Sequence, residues 1–450
     1  MADFELVIRG GEVVTPDEVR DADIGISEGR IAMLGEVPGT SRQTIEAKGL
    51  HVFPGLIDSH VHFNDPGRTE WEGIETGSRA LAAGGGTLYF DMPLNAHPPT
   101  LDAASFDAKL AVAEAKSLVD FAFWGGLTPG NLDHLEELAE RGVVGFKAFM
   151  SKSGIEDFPR ADDWTLRAGM KRAAALRKPV SVHAESETIT SELAQAAALK
   201  SKTGVRDYLD SRPIHAELEA IARALEFAGE TGCRLHIVHV SCGAGIALIA
   251  SARKLGVNVS CETCPHYLTF TEEDLEHIGP LAKCAPPLRP SQAQETLWQY
   301  VLAGEITTIG SDHSPSPPGM KTDLNFFKVW GGISGVQHTL PLLVTEGHVN
   351  RAMALPLLGR LFSFNVAQRF HLPPEQGRIA PGAWADLALV DLKSDFEVKA
   401  DDLLYRHRHS PYLGRKLTGK VVQTILRGQT VFHNGKIVSK PVGRLVKPER

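Results

Sequence analysis

The sequence has no stretch approaching the roughly 18 uninterrupted apolar residues of a membrane-crossing helix, and it has no long run of like charge. Its formal net charge of -8 over 450 residues argues against a nucleic-acid partner, because such proteins carry a basic patch or stripe. Cysteine is scarce: Cys233, Cys242, Cys261, Cys264 and Cys284 are five, an odd number sparsely placed. That excludes a dense disulfide framework and suits a reducing cytoplasm. Cys261 and Cys264 have the spacing of half a zinc knuckle or a redox pair, yet no second cysteine pair follows with zinc-site spacing. The two are therefore expected to be buried, unliganded thiols. The stretch from Met1 to Arg9 is acidic and strand-like, with no basic region followed by an apolar core, so a secretory signal is not expected. Internal repeats and low-complexity segments are absent as well.

A hydrophobic content of 43% is enough for a sizeable core, and the length admits one large α/β barrel with additions or two to three smaller domains. The first 50 residues alternate apolar runs with turns: Phe4 to Arg9, Ala22 to Ile26 and Ile31 to Leu34. The same β-meander texture returns in Asp386 to Asp391, Val421 to Arg427, Thr430 to His433 and Lys436 to Val438, with Asn434-Gly435 as a hairpin signal. One small β-sandwich domain built from both termini, 1–51 and 374–450, is the expectation. Between them, strands are expected at 52–58, 86–91, 119–124, 143–149, 179–183, 234–240, 257–262 and 306–311. Helical patterns separate most of them, at 72–83, 103–115, 131–140, 165–176, 216–231, 243–254 and 291–303, and residues 340–373 look helical. Eight strands with intervening helices match a (β/α)₈ barrel over 52–373, of the TIM type. A doubly wound open sheet is the alternative.

The stretch from Gly55 to Gly67 organises the chain. A buried strand runs into His60-Val61-His62, and residues at i and i+2 of a strand point to one side, so both imidazoles can reach one metal ion. The same kind of position recurs downstream. Lys147 lies inside the apolar run Val144 to Met150, His183 ends Pro179 to His183, His239 closes Leu235 to His239, and Asp312 follows Ile309-Gly310-Ser311. A lysine inside an apolar strand is costly to bury unless it is paired or chemically altered; the plain reading is a snorkelling surface lysine. For any single histidine, a hydrogen-bonded core residue is the plain reading. Four histidines, a lysine and an aspartate at the strand ends of one barrel form a pattern of another kind, suited to zinc or a similar divalent ion. In a closed barrel those ends converge around one axis, which favours the barrel over the open sheet. His236, three positions before His239, is expected to face away from the site.

The set His60, His62, Lys147, His183, His239 and Asp312 resembles the cyclic amidohydrolases of the amidohydrolase superfamily, over nearly the whole chain. The resemblance implies that Lys147 is carboxylated to N6-carboxylysine, a carbamate bridging two divalent metal ions, zinc in the first place and cobalt or manganese otherwise. An ammonium cannot ligate a cation; a carbamate can. By the same resemblance His60, His62 and Asp312 hold one ion and His183 and His239 the other, and the ions share a hydroxide. Asp312 is then also the catalytic acid/base, passing the hydroxide proton to the departing ring nitrogen.

Three places bear on the substrate. Dihydroorotases of this family carry an arginine two residues after the second histidine, where this chain has Asn64, with Arg68 nearby. Hydantoinases and dihydropyrimidinases carry a tyrosine five residues beyond the bridging lysine, where this chain has Lys152. The wording of His60 to Gly73, Asp91 to Asn95, Pro98 to Thr100, Lys283 to Arg289 and Trp330 to Gln337 is most similar to the allantoinase branch. What that resemblance implies is hydrolysis of the hydantoin ring of allantoin to allantoate in purine degradation, with a hydantoinase or dihydropyrimidinase type of cyclic amidase as the alternative. By analogy with hydantoinase pockets, backbone groups near Ala285 and Gly331 hold the ring amides. Asn95 either binds substrate or caps a turn. Residues 151–162 form a polar loop that could serve as a lid. Relatives often form homotetramers, which the resemblance extends to this chain. A non-enzymatic scaffold is the reading from a different class, and the six filled positions count against it.

Overall fold

The computed structural model describes residues 3–449; Met1, Ala2 and Arg450, which fall within the terminal segments expected to form the sheet, lie outside it. The molecule is a (β/α)₈ barrel joined to a β-structure to which both ends of the chain contribute.

The barrel strands are Leu56–Val61, Gly86–Asp91, Asp120–Phe123 with its continuation Gly125–Gly126, Phe146–Phe149, Val180–His183, Leu235–Ile237, Val259–Thr263 and Thr308–Ile309. All neighbouring pairs are parallel, with Ile57 beside Leu88, Leu88 beside Asp120, Phe146 beside Gly125 and Val180, Val180 beside Leu235, Leu235 beside Val259, and Thr263 beside Ile309. The ring closes where strand eight meets strand one: the His62 amide donates to the His313 carbonyl at 2.8 Å, and Val61 bridges His313 in parallel. Each strand is buried on both sides, the reason these runs read as continuous apolar stretches rather than alternating ones. Phe370 plugs the barrel interior, edge-on to Phe90, Trp124 and His236 at 5.2–5.3 Å between ring centroids.

The expected strand at 52–58 is two strands. His51–Pro54 leaves the barrel and pairs antiparallel with Leu387 to Val390, while Leu56–Val61 enters it. Gly55 makes the break, and a Cβ there would collide with the Thr87 side chain. The terminal sheet has nine strands in the order Lys436–Ile437, Gln429–His433, Lys416–Leu426, Leu387–Glu397, His51–Pro54, Phe4–Val14, Val19–Ser27, Arg30–Gly35, with Ser41–Glu46 also on Phe4–Val14. Its own apolar core joins Leu6, Ile8, Val13, Ile24 and Ile31 from the front of the chain to Leu387, Leu389 and Ile425 from the back. The Asn434-Gly435 turn closes a hairpin with His433 opposite Lys436.

The seven expected helical runs are all helices, with ends displaced by a few residues. Four more were not legible in the pattern: Glu187–Leu199 and Val205–Asp210 between strands five and six, and Pro265–Thr269 and Glu272–Ile278 after strand seven. Glu187–Leu199 buries only Thr190, so it carries no core-facing stripe of the kind periodicity detects. Residues 443–446 return to the barrel, where the Phe121 amide donates to the Arg444 carbonyl at 3.0 Å, and Arg427 pairs with Asp120 nearby.

Candidate active site

At the C-terminal ends of strands one and eight, His60, His62 and Asp312 come together. His60 Nε2 and His62 Nε2 lie 3.2 and 3.4 Å from the same Asp312 oxygen, and one ligand atom from each of the three fits within 4.8 Å of the others. The buried Asp58 carboxylate pins the two strand ends, accepting from the His60 amide at 3.1 Å and the Ser311 amide at 3.0 Å. Asp312 has a left-handed backbone, φ 46°, which turns its side chain back over strand one. Gly310 lets this approach happen, because a Cβ there would stand 2.7 Å from Glu262 Oε2 and 3.0 Å from His60 Cβ. Burial alone would raise the Asp312 carboxyl, but His60 and His62 hold it down at about 2. It is a carboxylate at neutral pH.

His183 and His239 form the second group. The His183 ring stacks on Phe149 at 4.6 Å between centroids, its Nε2 lies 2.8 Å from Glu185 Oε2, and its Nδ1 lies 3.1 Å from His239 Nε2. His239 sits two residues beyond its strand at φ 40°, so strand alternation does not set its direction; the left-handed turn does. His236 faces the barrel interior instead, with Nδ1 2.7 Å from Ser260 Oγ. Burial lowers the pKa of His62, His183 and His239, leaving neutral imidazoles with lone pairs to donate.

Lys147 is fully buried. Its Nζ has no hydrogen-bond partner among the described residues and lies 5.0 Å from the Phe149 ring centre. Burial pulls its pKa down to about 7. An ammonium left in that state would be costly, whereas nitrogen carrying a group that ligates a cation would be at home. The Nδ1 atoms of His62 and His239 are likewise buried without partners. Imidazole nitrogens, a carboxylate and an orphaned lysine nitrogen around one space fit a divalent metal.

His60, His62, His183, His239 and Asp312 line one cavity of about 700 Å³, together with Asn95, Ala285 and Gly331. On one wall Tyr208 and Tyr267 donate to the carbonyls of Cys284 and Pro286 at 2.8 and 2.7 Å. The carbonyl of Ala285 between them bonds to nothing among the described residues. The Gly331 N–H and C=O are free in the same sense. Asn95, at φ 69°, accepts Arg68 Nη1 at its main-chain carbonyl at 3.1 Å, and its side-chain amide lies at the cavity lining, 3.5 Å from Ser314 Oγ.

Arg68 does not face the cavity; its guanidinium is taken by the Asn95 and Ala96 carbonyls and by Asp157. It is no replacement for the arginine missing at Asn64. The Lys152 side chain is 80% exposed, 3.7 Å from Glu187 at the cavity mouth. Several polar residues behind the site had gone unread. Glu262 holds His60, and Glu185, paired with Arg212, holds His183. Arg289 bonds Glu217 at 3.0 Å, Ser241 at 2.8 Å and the Arg212 carbonyl at 2.5 Å. The available signal was weak: Glu262 is a carboxylate within an expected strand, but Val259–Thr263 also holds Ser260 and Thr263, so the charge does not stand out as Lys147 does.

Residues 51–431 match the model of the amidohydrolase family. The chain is 56% identical to an allantoinase of Rubrobacter xylanophilus, covering 100% of this chain and 99% of that protein. It is 52% identical to an allantoinase of Deinococcus radiodurans, with 99% of each covered, and 42% identical to an allantoinase of Escherichia coli K12, with 95% of each covered. Among solved structures, an L-hydantoinase (dihydropyrimidinase) from Arthrobacter aurescens superposes with a TM-score of 0.96 at 34% identity, covering 99% of this chain and 100% of that one.

Proposed function

Because this chain belongs to the amidohydrolase family, we propose that it hydrolyses the hydantoin-ring amide of allantoin to allantoate, a step of purine degradation. The observation that carries the reading is the meeting of His60, His62, His183, His239 and Asp312 at one cavity with Lys147 buried and unpartnered behind it. The full-length likeness to allantoinases selects the substrate.

In this reading His60, His62 and Asp312 would hold one divalent ion and His183 and His239 a second, with Lys147, as N6-carboxylysine, contributing to both sites; zinc is placed before cobalt or manganese. When bound, such a pair activates water and polarises the ring carbonyl. The chain's own groups do the rest. Asp312, a carboxylate at neutral pH, accepts the proton of the attacking water at its free oxygen and delivers it to the ring nitrogen, so that the leaving group departs neutral. The Ala285 carbonyl accepts from a ring N–H, and the Gly331 N–H and C=O pair with a second ring amide. Asn95 meets the ureido group. Allantoin is neutral, and no cationic side chain is required where Asn64 stands.

The barrel, residues 55–373, carries this chemistry, and the sheet built within 3–54 and 374–439 braces it. Five buried free thiols support a reducing, cytoplasmic setting. Among the described residues, no helix is long and apolar enough to cross a membrane. Self-association to a homotetramer belongs to the same reading; sedimentation of the metal-loaded protein tests it.

The deciding experiment follows allantoate appearance with protein reconstituted with zinc, cobalt or manganese and bicarbonate, beside hydantoin, dihydrouracil and dihydroorotate. Turnover of allantoin alone is expected. Turnover of hydantoin or dihydrouracil in its place would support the second reading, a hydantoinase-type amidase, which the near-complete superposition on an L-hydantoinase favours. No turnover with any metal would overturn both.

A further inference from the structure

Two lysines near the cavity are buried without an acid. Lys283 and Lys321 are 4% and 7% exposed, and the charged groups near Lys283 are two cations, Arg212 and Lys321. Each ammonium instead spends its three donors on main-chain carbonyls. Lys283 Nζ reaches Phe326 at 2.6 Å, Phe327 at 3.3 Å and Val329 at 2.6 Å. Lys321 Nζ reaches Pro280 at 3.1 Å, Trp330 at 2.8 Å and Gly332 at 2.7 Å.

The carbonyls taken lie on both sides of one residue. Trp330 and Gly332 are held by Lys321, Val329 by Lys283, and the Gly332 amide donates to the Lys283 carbonyl at 2.8 Å. Gly331 alone in that run keeps both its N–H and its C=O free, and it faces the cavity with open space where a Cβ would stand. Lys283 also connects the two walls of the cavity. Its ammonium lies 4.6 Å from the Tyr208 ring centre, and Tyr208 holds the carbonyl of Cys284 next to Ala285.

Burying an ammonium carries a desolvation penalty that a methionine of similar volume does not. Packing therefore does not account for lysine at these positions. Three donors in a fixed place do, because each otherwise unpaired buried carbonyl carries its own penalty. Resting on the cyclic-amide reading above, we propose that Lys283 and Lys321 are positioning residues that shape the amide-recognition edge of the cavity, holding the carbonyls around Gly331 so that only Gly331 is presented to the substrate ring.

The test compares Lys283→Met and Lys321→Met with wild type in KM, kcat, metal content and amide hydrogen exchange over residues 318–335. Expected are a KM raised roughly tenfold or more, the loss of binding shared by ground and transition state, kcat within a few fold, unchanged metal content and faster exchange in that segment. An unchanged KM in folded, metal-loaded variants overturns the proposal. So does a fall in kcat in step with lost metal, which is what general destabilisation would produce. If neither variant folds, exchange in the wild type decides: the Trp330 and Gly332 amides must be protected like barrel-strand amides, and exchange as fast as in an exposed loop refutes the clamp. Wild-type turnover of allantoin is measured separately, so failure of the substrate reading is distinguishable from failure of the clamp, whose exchange signature needs no substrate.

Discussion

Glu262 Oε1 stands 2.7 Å from Nδ1 of His60, and this contact turns the opposite ring nitrogen toward Asp312. Ser59 Oγ donates to the other Glu262 oxygen at 2.5 Å, so the carboxylate is fixed before the histidine is. Removing the charge should leave His60 in place but less basic and less well aimed. Glu262→Gln is expected to weaken metal binding by roughly 10–100-fold, read by chelator competition. Wild-type affinity would mean that the strand alone orients His60.

Lys147→Ala removes the buried nitrogen without opening the barrel, since Phe146 and Ala148 keep the strand packed in the core. Metal content should fall below the wild-type value, turnover should be lost, and short carboxylates should restore part of both. Turnover at the wild-type level without added carboxylate would exclude a carbamate.

Asp312→Asn retains an oxygen facing His60 and His62 but cannot take a proton. A loss in kcat of roughly 10²–10⁴-fold is expected, with metal content reduced far less. Near-normal kcat would assign the proton transfer elsewhere.

Arg212→Met leaves Glu185 fully buried beside His183 without its guanidinium partner. Breaking a buried pair from one side costs about 3–5 kcal/mol, so the midpoint of denaturant unfolding should drop accordingly. The double variant Arg212→Met/Glu185→Gln should recover part of the loss, and a single variant as stable as wild type would refute the pairing.

Asp386 offers a pH signature away from the site. Burial, reinforced by the nearby Asp120 carboxylate, raises its pKa from 3.8 to about 7, so the folded protein holds this proton more tightly than the unfolded chain. The stability it contributes is fully present below about pH 3.8 and is lost as pH rises through about 7. Asp386→Asn keeps an oxygen for the Arg427 amide, which donates to it at 2.7 Å, and does not ionise. Its thermal midpoint relative to wild type should rise between pH 5 and pH 8. A constant difference across that range would show that Asp386 does not titrate there.

The eight barrel strands were legible because strands covered on both faces must be apolar throughout, and each run stands out between helical patterns. Their ends were not. The run at 52–58 belongs to two sheets: Gly55 marks the break, but nothing local tells that His51–Pro54 pairs with Leu387 to Val390 while Leu56–Val61 enters the barrel. Lys147 was legible as an anomaly, a charge in an apolar run. Glu262 stands between Cys261 and Thr263 in a strand that is already part polar, its partner His60 is 202 residues away in sequence, and spacing carries no information over such a distance. The helix Glu187–Leu199 was invisible for the opposite reason: it buries almost nothing.

The sequence by itself determined the alternation of strands and helices, the β-rich ends, and the residue types able to hold a metal, because these follow from local periodicity and from the cost of burying charge. Which nitrogen of each histidine faces the site, how left-handed turns at His239 and Asp312 aim their side chains, and which main-chain groups at Ala285 and Gly331 remain free were decided by tertiary structure alone. Each depends on a partner supplied by a distant strand or loop, and a hydrogen bond is available only once folding has brought both of its ends together.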